Sequence, residues 1–438
     1  MLPGSAHSSV PAIYPYFRAT DLSSTIDASH RFYRSFKVVM GQEKEPTLHQ
    51  QQVFSKIDTH PKASLLVVLP TGSGKSALFA TTAYAVNGCV LVVVPFVALI
   101  EDHLNNRYNG VQAIAFGSPA FRACSSWAKT VVLIEPEQVI CGAFTDWMRS
   151  GGGAAVEKIF IDESHELVLS TGYRNSMQCL KHCLPAHLPK ILLSGTVPFR
   201  MQSQLEHALQ EPLYVIRAPC NRTNIRHQVS WMASKSSALS ELAKQLQRFT
   251  NHNSLDKSKC RYIVYAATTQ HCQDVHQELC ERGINALLFT SNLQADAAAL
   301  YKQKPPSQQI RNAKQAIYSE WVSTSNCVVV ATSAFGAGVD MEYVPAVFTY
   351  GPTYTNVQYL QQAGRGGRKR NSQCLSWVFT SNDLVAGLRR YVSNSKDEAS
   401  ISSYEQHVNF LQQPQSKCRR MLLSAEVDGT GHSCTLLD

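Results

Sequence analysis

Short apolar runs recur along this chain, separated by stretches of suitable length for a helix. They fall at Leu65 to Leu69, Cys89 to Val94, Thr130 to Ile134, Lys158 to Ile161 and Ile191 to Leu193. A strand that is apolar on both faces must be covered on both, so such runs alternating with helices specify a parallel sheet. After a polar stretch, Ser230 to Lys259, a second series follows at Arg261 to Tyr265, Ala286 to Phe289, Cys327 to Ala331, Ala346 to Tyr350 and Cys374 to Phe379. The expected fold is therefore α/β, with two similar parallel-sheet units in tandem. Length agrees, because 438 residues exceed what one core usually organises.

Composition bounds the rest. Hydrophobic residues make up 44% of the chain and charged residues 17%, the balance of a folded globular protein. The net charge is +9, and residues 219–438 hold 23 Lys and Arg against 16 Asp and Glu, where residues 1–218 hold 18 against 16. A basic surface suits a phosphate backbone without establishing one. Thirteen cysteines with no Cys-x-x-Cys pair, and no basic-then-apolar leader, argue against an oxidising destination. The longest apolar run, Cys89 to Ile100, contains a proline and falls short of the ~20 residues a membrane span needs. The expectation is a soluble intracellular protein. Residues 1–40, rich in Ser, Pro and Tyr, read as a loosely ordered extension, and Gln294 to Ala313, with Pro305 and Pro306, as a loop before a helix through Trp321.

Chemistry enters after the first run. Pro70, Thr71, Gly72, Ser73, Gly74, Lys75 and Ser76 stand between a strand signal and a helix signal, the setting of a phosphate-binding loop. Its glycines let backbone N–H groups close around phosphate oxygens, Lys75 neutralises terminal phosphates, and Ser76 holds Mg2+ at a helix N-terminus. Leu69 replaces the glycine that usually opens this pattern. At the end of a later apolar strand stand Asp162, Glu163, Ser164 and His165. There Asp162 is expected to hold Mg2+ through water and Glu163 to orient and deprotonate the attacking water. Ser194, Gly195 and Thr196 close another strand. In the second unit, Gln361, Gln362, Ala363, Gly364, Arg365, Gly366, Gly367 and Arg368 present two arginines able to grip phosphate oxygens bidentately, Arg368 being the first choice for the finger and Arg365 its neighbour.

Together these segments resemble superfamily-two helicases. Asp162 to His165 match the D-E-x-H box, Gln361 to Arg368 the Q-x-x-G-R-x-G-R motif, and Ser194 and Thr196, with His165, the elements that couple hydrolysis to strand movement. Ala334 to Asp340 is similar to the A-F-G-x-G-[IV]-[DN] segment of the RecQ family, and Val92 to His103, Ile134 to Glu137 and Asn221 to Ile225 resemble further RecQ stretches. The resemblance implies tandem RecA-like domains over residues 41–220 and 221–392 with a nucleotide cleft between them. It further implies ATP and Mg2+ as cofactors, Gly338 and Asp340 beside the nucleotide, and Pro95, Tyr173, Arg174 and Thr332 along a groove for one DNA strand. The implied activity is 3'–5' unwinding of DNA at a single-strand and duplex junction, in repair or recombination, in the nucleus.

Three departures qualify this. The family's adenine-contacting Arg-x-x-Gln becomes His49 with Gln52, and a neighbouring glutamine is the alternative contact. The aromatic-rich strand-sensing loop is reduced to Tyr173 and Arg174, so Tyr173 is either its remnant or an ordinary half-buried aromatic. Cys418 to Leu423 with Cys434 look like half of the RecQ zinc module within residues 393–438. Two thiols cannot close a four-ligand site, so the expectation is a C-terminally incomplete member, or one that has lost the module, with no complete zinc site, exposed cysteines and a poorly ordered tail. The alternatives are a degenerate DNA-binding relative without unwinding activity, or an RNA helicase.

Overall fold

The structure is a computed structural model that describes residues 25–70, 72–106, 108–169, 175–220, 222–251, 260–290, 307–333, 335, 343–368, 372–395, 397–414 and 416–431. Within them the chain forms two parallel sheets. The first contains β1 (Leu65–Val68), β2 (Cys89–Val93), β3 (Gln112–Ala115), β4 (Thr130–Ile134), β5 (Val156–Ile161), β6 (Lys190–Ser194) and β7 (Tyr214–Arg217), in the order β3-β4-β2-β5-β6-β1-β7. The second contains β8 (Ile225–Met232), β9 (Arg261–Ala266), β10 (Ala286–Phe289), β11 (Cys327–Ala331), β12 (Ala346–Tyr350) and β13 (Cys374–Ser381), in the order β10-β11-β9-β12-β13-β8. This is the expected tandem α/β architecture.

Each sheet separates two hydrophobic cores, as strands buried on both faces require. On one face of the first sheet Leu65, Val67, Val90 and Val92 meet Phe54 and Phe79, and on the other Leu66, Leu91, Ile159 and Leu192 meet Leu180 and Leu205. In the second sheet Ile263, Val329 and Val347 pack with Trp321, while Val264, Val330 and Phe348 pack with Leu242 and Val275.

Ten strands lie at the ten apolar runs. The three that the pattern does not announce, β3, β7 and β8, are each partly exposed edge strands, where polar residues are tolerated. Most of the polar stretch Ser230 to Lys259 that falls within the described residues is the helix Lys235–Asn251. Residues 31–40, expected to belong to a loosely ordered extension, instead form the helix Arg31–Met40. Phe32, Phe36 and Val39 repeat at helical spacing and enter the first core, where Phe32 stacks on Phe54 at 5.4 Å. The expected poorly ordered tail is also corrected within the described residues. Glu398–Leu411 and Arg419–Asp428 are helices, because Leu423 has the second domain's core to enter and Val427 the first domain's.

Candidate nucleotide site between the two domains

Parallel order brings three motifs to one edge. β6 lies between β5 and β1, with Ile161 level with Leu192 and Val68 level with Ser194. The phosphate loop, the acid pair and Ser194 to Thr196 therefore all emerge at the C-terminal ends of neighbouring strands, where open α/β sheets bind ligands.

The loop is braced from the preceding helix, Leu48–Thr59. Buried Gln50 donates its amide to the carbonyls of Ser73 at 3.2 Å and Gly74 at 3.1 Å, and its own carbonyl accepts the Thr47 N–H at 2.8 Å in a capping box. Gln50 is thus the glutamine that reaches the loop, two positions before the expected Gln52, which is buried on the same helix. The Thr-x-x-Gln spacing just before an apolar helix was the available signal. Gly74 caps the helix Lys75–Ala85 at φ 75°, a conformation that favours glycine, and a Cβ there would stand 2.9 Å from Gln50 Nε2 and displace that amide. Lys75 Nζ donates to the Leu69 carbonyl at 3.2 Å. Tyr108, near Ser76, has its phenol pushed up to about 12 by burial. Thr71 lies outside the described residues.

Asp162 and Glu163 sit on a turn pinned from both sides, with Asp162 N–H bonded to Val93 O and Ser164 N–H to Leu193 O, each at 2.9 Å. Glu163 has φ 44°, a left-handed conformation that costs a non-glycine residue about 1–2 kcal/mol. That turn frees the two carboxylates from the alternation of a strand. Burial raises the Asp162 carboxyl, but His103 at 3.5 Å, Lys75 and the Glu163 N–H at 2.9 Å outweigh it and hold it below the ordinary carboxylate value. His103, buried edge-on to Phe79, was not singled out in the sequence, although it ends the RecQ-like stretch Val92 to His103.

Buried Ser73 Oγ has no hydrogen-bond partner within the protein, and buried Glu163 Oε2 makes no hydrogen bond, the His165 ring standing 3.5 Å away; under-bonded buried oxygens of this kind call for a ligand or water. Backbone N–H groups at a helix N-terminus, a lysine, and the hard oxygens of Ser76 and Asp162 fit a magnesium nucleotide.

The two domains touch through His165. Its Nδ1 lies 2.9 Å from Ser194 Oγ, which in turn accepts the Thr196 N–H at 3.2 Å, while its Nε2 accepts the side-chain amide of Gln361 at 2.6 Å. Burial lowers the imidazole's pKa, yet the carboxylates of Glu166 and Glu163, each 3.5 Å away, together with Asp162 raise it overall. Gln361 rides on the helix Asn356–Ala363, anchored by Tyr359 to His227 at 2.8 Å and by Asn356 to His407 at 2.8 Å.

The turn after this helix carries the arginines. Arg368 Nε donates to the Gly364 carbonyl at 3.4 Å, and Tyr265, bonded to the Phe335 carbonyl at 3.0 Å, lies in the field of both Arg365 and Arg368. Gln361 to His165 is thus a direct inter-domain contact in this arrangement, and the arginines follow Gln361 on the next turn. A cavity of about 20 Å³ lies alongside, lined by Pro70 and Thr196 from the first domain, Arg222 from the connector, and His227, Leu360 and Gly364 from the second.

Of the residues expected along the strand groove, buried Pro95 follows β2 and half-buried Thr332 follows β11, at corresponding edges of the two sheets. Tyr173, Arg174, Gly338, Asp340 and Cys434 lie outside the described residues. Cys418 is half-buried ahead of the final helix. Among the described residues no cluster of three or more His, Cys, Asp and Glu is placed to hold a metal, and no helix is long and apolar enough to cross a membrane.

Comparison with known proteins agrees with this geometry. Residues 47–205 match the DEAD/DEAH box helicase family and residues 239–370 the helicase conserved C-terminal domain. ATP-dependent DNA helicase Q5 of Rattus norvegicus is 25% identical over 389 residues, covering 83% of this chain and 38% of that protein. ATP-dependent helicase SGS1 of Saccharomyces cerevisiae is 23% identical, covering 86% and 25%. The chain thus spans well under half the length of these curated relatives. Among solved structures, S. cerevisiae Dbp5 bound to RNA and ADP BeF3 superposes with a TM-score of 0.58 at 14% identity, over 83% of this chain and 91% of that one, a likeness of fold.

Proposed function

We propose that the chain is a RecQ-type ATP-dependent helicase, one that couples ATP hydrolysis to movement along single-stranded DNA and to duplex unwinding. In this reading Lys75 and the backbone N–H groups from Gly72 to Ser76 hold the phosphates. Ser76 and Asp162 hold Mg2+, which when bound neutralises charge on the β- and γ-phosphates. Glu163 accepts the proton of the attacking water, and Arg365 and Arg368 reach across the cleft to the charge that develops on the transferred phosphoryl group. The 3'–5' polarity, action at a junction of single strand and duplex, a role in repair or recombination and a nuclear location are expectations carried by the RecQ relationship.

The observation that carries the proposal is the imidazole of His165, bonded to Ser194 in its own domain and to Gln361 in the other. It gives nucleotide chemistry at the acid pair a mechanical path to the second domain. Steady-state ATP hydrolysis with and without oligo-dT, and with oligo-U of equal length, tests it. The expected result is stimulation by DNA exceeding that by RNA, abolished in Lys75→Ala and Glu163→Gln. A well-folded protein whose hydrolysis ignores DNA would leave a binding protein in place of a motor.

A further inference from the structure

The turn that presents Arg365 and Arg368 is held by residues distant in sequence. From the connector between the domains, Arg222 donates to the Gly364 carbonyl at 3.0 Å and, through its other terminal nitrogen, to the Gly367 carbonyl. Asn224 donates to the same Gly367 carbonyl at 2.8 Å and to that of Ser372 at 2.6 Å. The approach is close enough that a Cβ on Gly367, which has φ 61°, would lie 2.8 Å from Asn224 Nδ2.

The connector is gripped in its turn. Arg420, almost fully buried on the final helix, donates to the carbonyls of Arg222 at 2.8 Å, Ile225 at 2.7 Å and Thr223 at 3.3 Å. Asp428 on that helix accepts the Cys220 N–H at 2.8 Å. Three carbonyls from one connector on a single guanidinium fix its path, since the planar fork admits few geometries.

A half-buried arginine facing carbonyls gains less than one facing a carboxylate. Burial, and then the like charge of Arg368, hold Arg222 below its ordinary value. Arg222 thus fixes the turn through neutral acceptors while its charge disfavours Arg368 folding back onto the connector.

We propose that Arg222, Asn224 and Arg420 are positioning residues for hydrolysis, forming a brace that sets where the turn Gly364 to Arg368 stands relative to the connector. The proposal rests on the reading that Arg365 and Arg368 act on the nucleotide.

The test uses the full chain with Asn224→Ala, Arg222→Ala, Arg222→Lys and Arg368→Ala, measuring oligo-dT-stimulated kcat, affinity for a fluorescent ATP analogue, melting temperature and hydrogen exchange at residues 366–368. Asn224→Ala and Arg222→Ala are expected to lower kcat by roughly 10- to 100-fold while analogue affinity changes by less than about threefold. Melting stays near wild type and exchange at the turn quickens. Arg222→Lys does not rescue, because one ammonium cannot reproduce the fork, and Arg222→Ala adds no loss in the Arg368→Ala background. Unchanged exchange at the turn in Asn224→Ala overturns the brace whatever the activity. So does a kcat within about twofold of wild type where Arg368→Ala is inactive, or a loss matched by equal loss of analogue affinity. Wild-type kcat in Arg368→Ala instead overturns the arginine reading.

Discussion

Nε2 of His165 in the first domain accepts a hydrogen bond from the side-chain amide of Gln361 in the second, at 2.6 Å. An imidazole nitrogen that accepts carries no proton, so Nδ1 holds it and donates to Ser194 Oγ at 2.9 Å. One ring thereby joins the turn bearing Asp162 and Glu163, the end of β6, and the helix leading to Arg365 and Arg368.

That link predicts a shared phenotype. Gln361→Ala and His165→Ala should each lower DNA-stimulated kcat by roughly tenfold or more with little change in KM for ATP. If the two act as one unit, the double variant is no slower than the worse single variant. Losses that multiply in ATPase assays would show two independent roles.

Gln50 predicts a defect in binding. Removing its amide leaves the Ser73 and Gly74 carbonyls without that donor, so Gln50→Ala should weaken nucleotide affinity by up to about tenfold, the scale of one or two hydrogen bonds. Titration of a fluorescent ATP analogue checks this against Gln52→Ala. A larger effect at Gln52 would restore the adenine contact expected there.

His407 makes the second domain acid-sensitive. It is fully buried, its Nε2 accepts the Thr353 N–H at 3.0 Å, and burial pushes its pKa down to about 3. The unfolded chain takes up this proton near pH 6.5 and the folded chain only near pH 3. The stability it contributes is therefore intact above pH 6.5 and falls by about 1.4 kcal/mol per pH unit below it. Urea midpoints at pH 7, 6 and 5 should decline with a slope that His407→Gln reduces. An identical slope in the variant would remove His407 as the source.

The final helix belongs to the cores of both domains. Leu423 is 3% exposed, whereas Met421 on the opposite side is 46% exposed. Leu423→Ala should cost about 2–5 kcal/mol, and Met421→Ala no more than about 0.5 kcal/mol. Thermal or urea unfolding of the two variants decides this, and equal effects would mean the helix is not packed as described.

How much of this could be read in advance depends on the range of the interaction. Buried parallel strands announce themselves, because every residue from Leu65 to Val68 or from Cys327 to Ala331 must be apolar. The edge strand β8 does not, since Arg226, His227 and Gln228 are polar and none of them is fully buried. Phe32, Phe36 and Val39 carried a helical spacing that the surrounding Ser, Pro and Tyr obscured. Motif residues are legible because a phosphate loop or an acid pair is local. The partners of those motifs are not. No spacing rule connects Arg420 to Arg222, or His103 to Asp162, since only the folded connector and the sheet order bring them together.

In the proposed mechanism Lys75 and Glu163 from one domain and Arg365 or Arg368 from the other meet on one nucleotide. A crystal structure with ADP, beryllium fluoride, Mg2+ and oligo-dT tests it directly. A guanidinium from Arg365 or Arg368 is expected within about 3 Å of a fluoride ligand, opposite Lys75, with Glu163 facing the in-line water. A structure in which Lys75 holds the nucleotide while both arginines stay beside Tyr265 and Arg222 would contradict it.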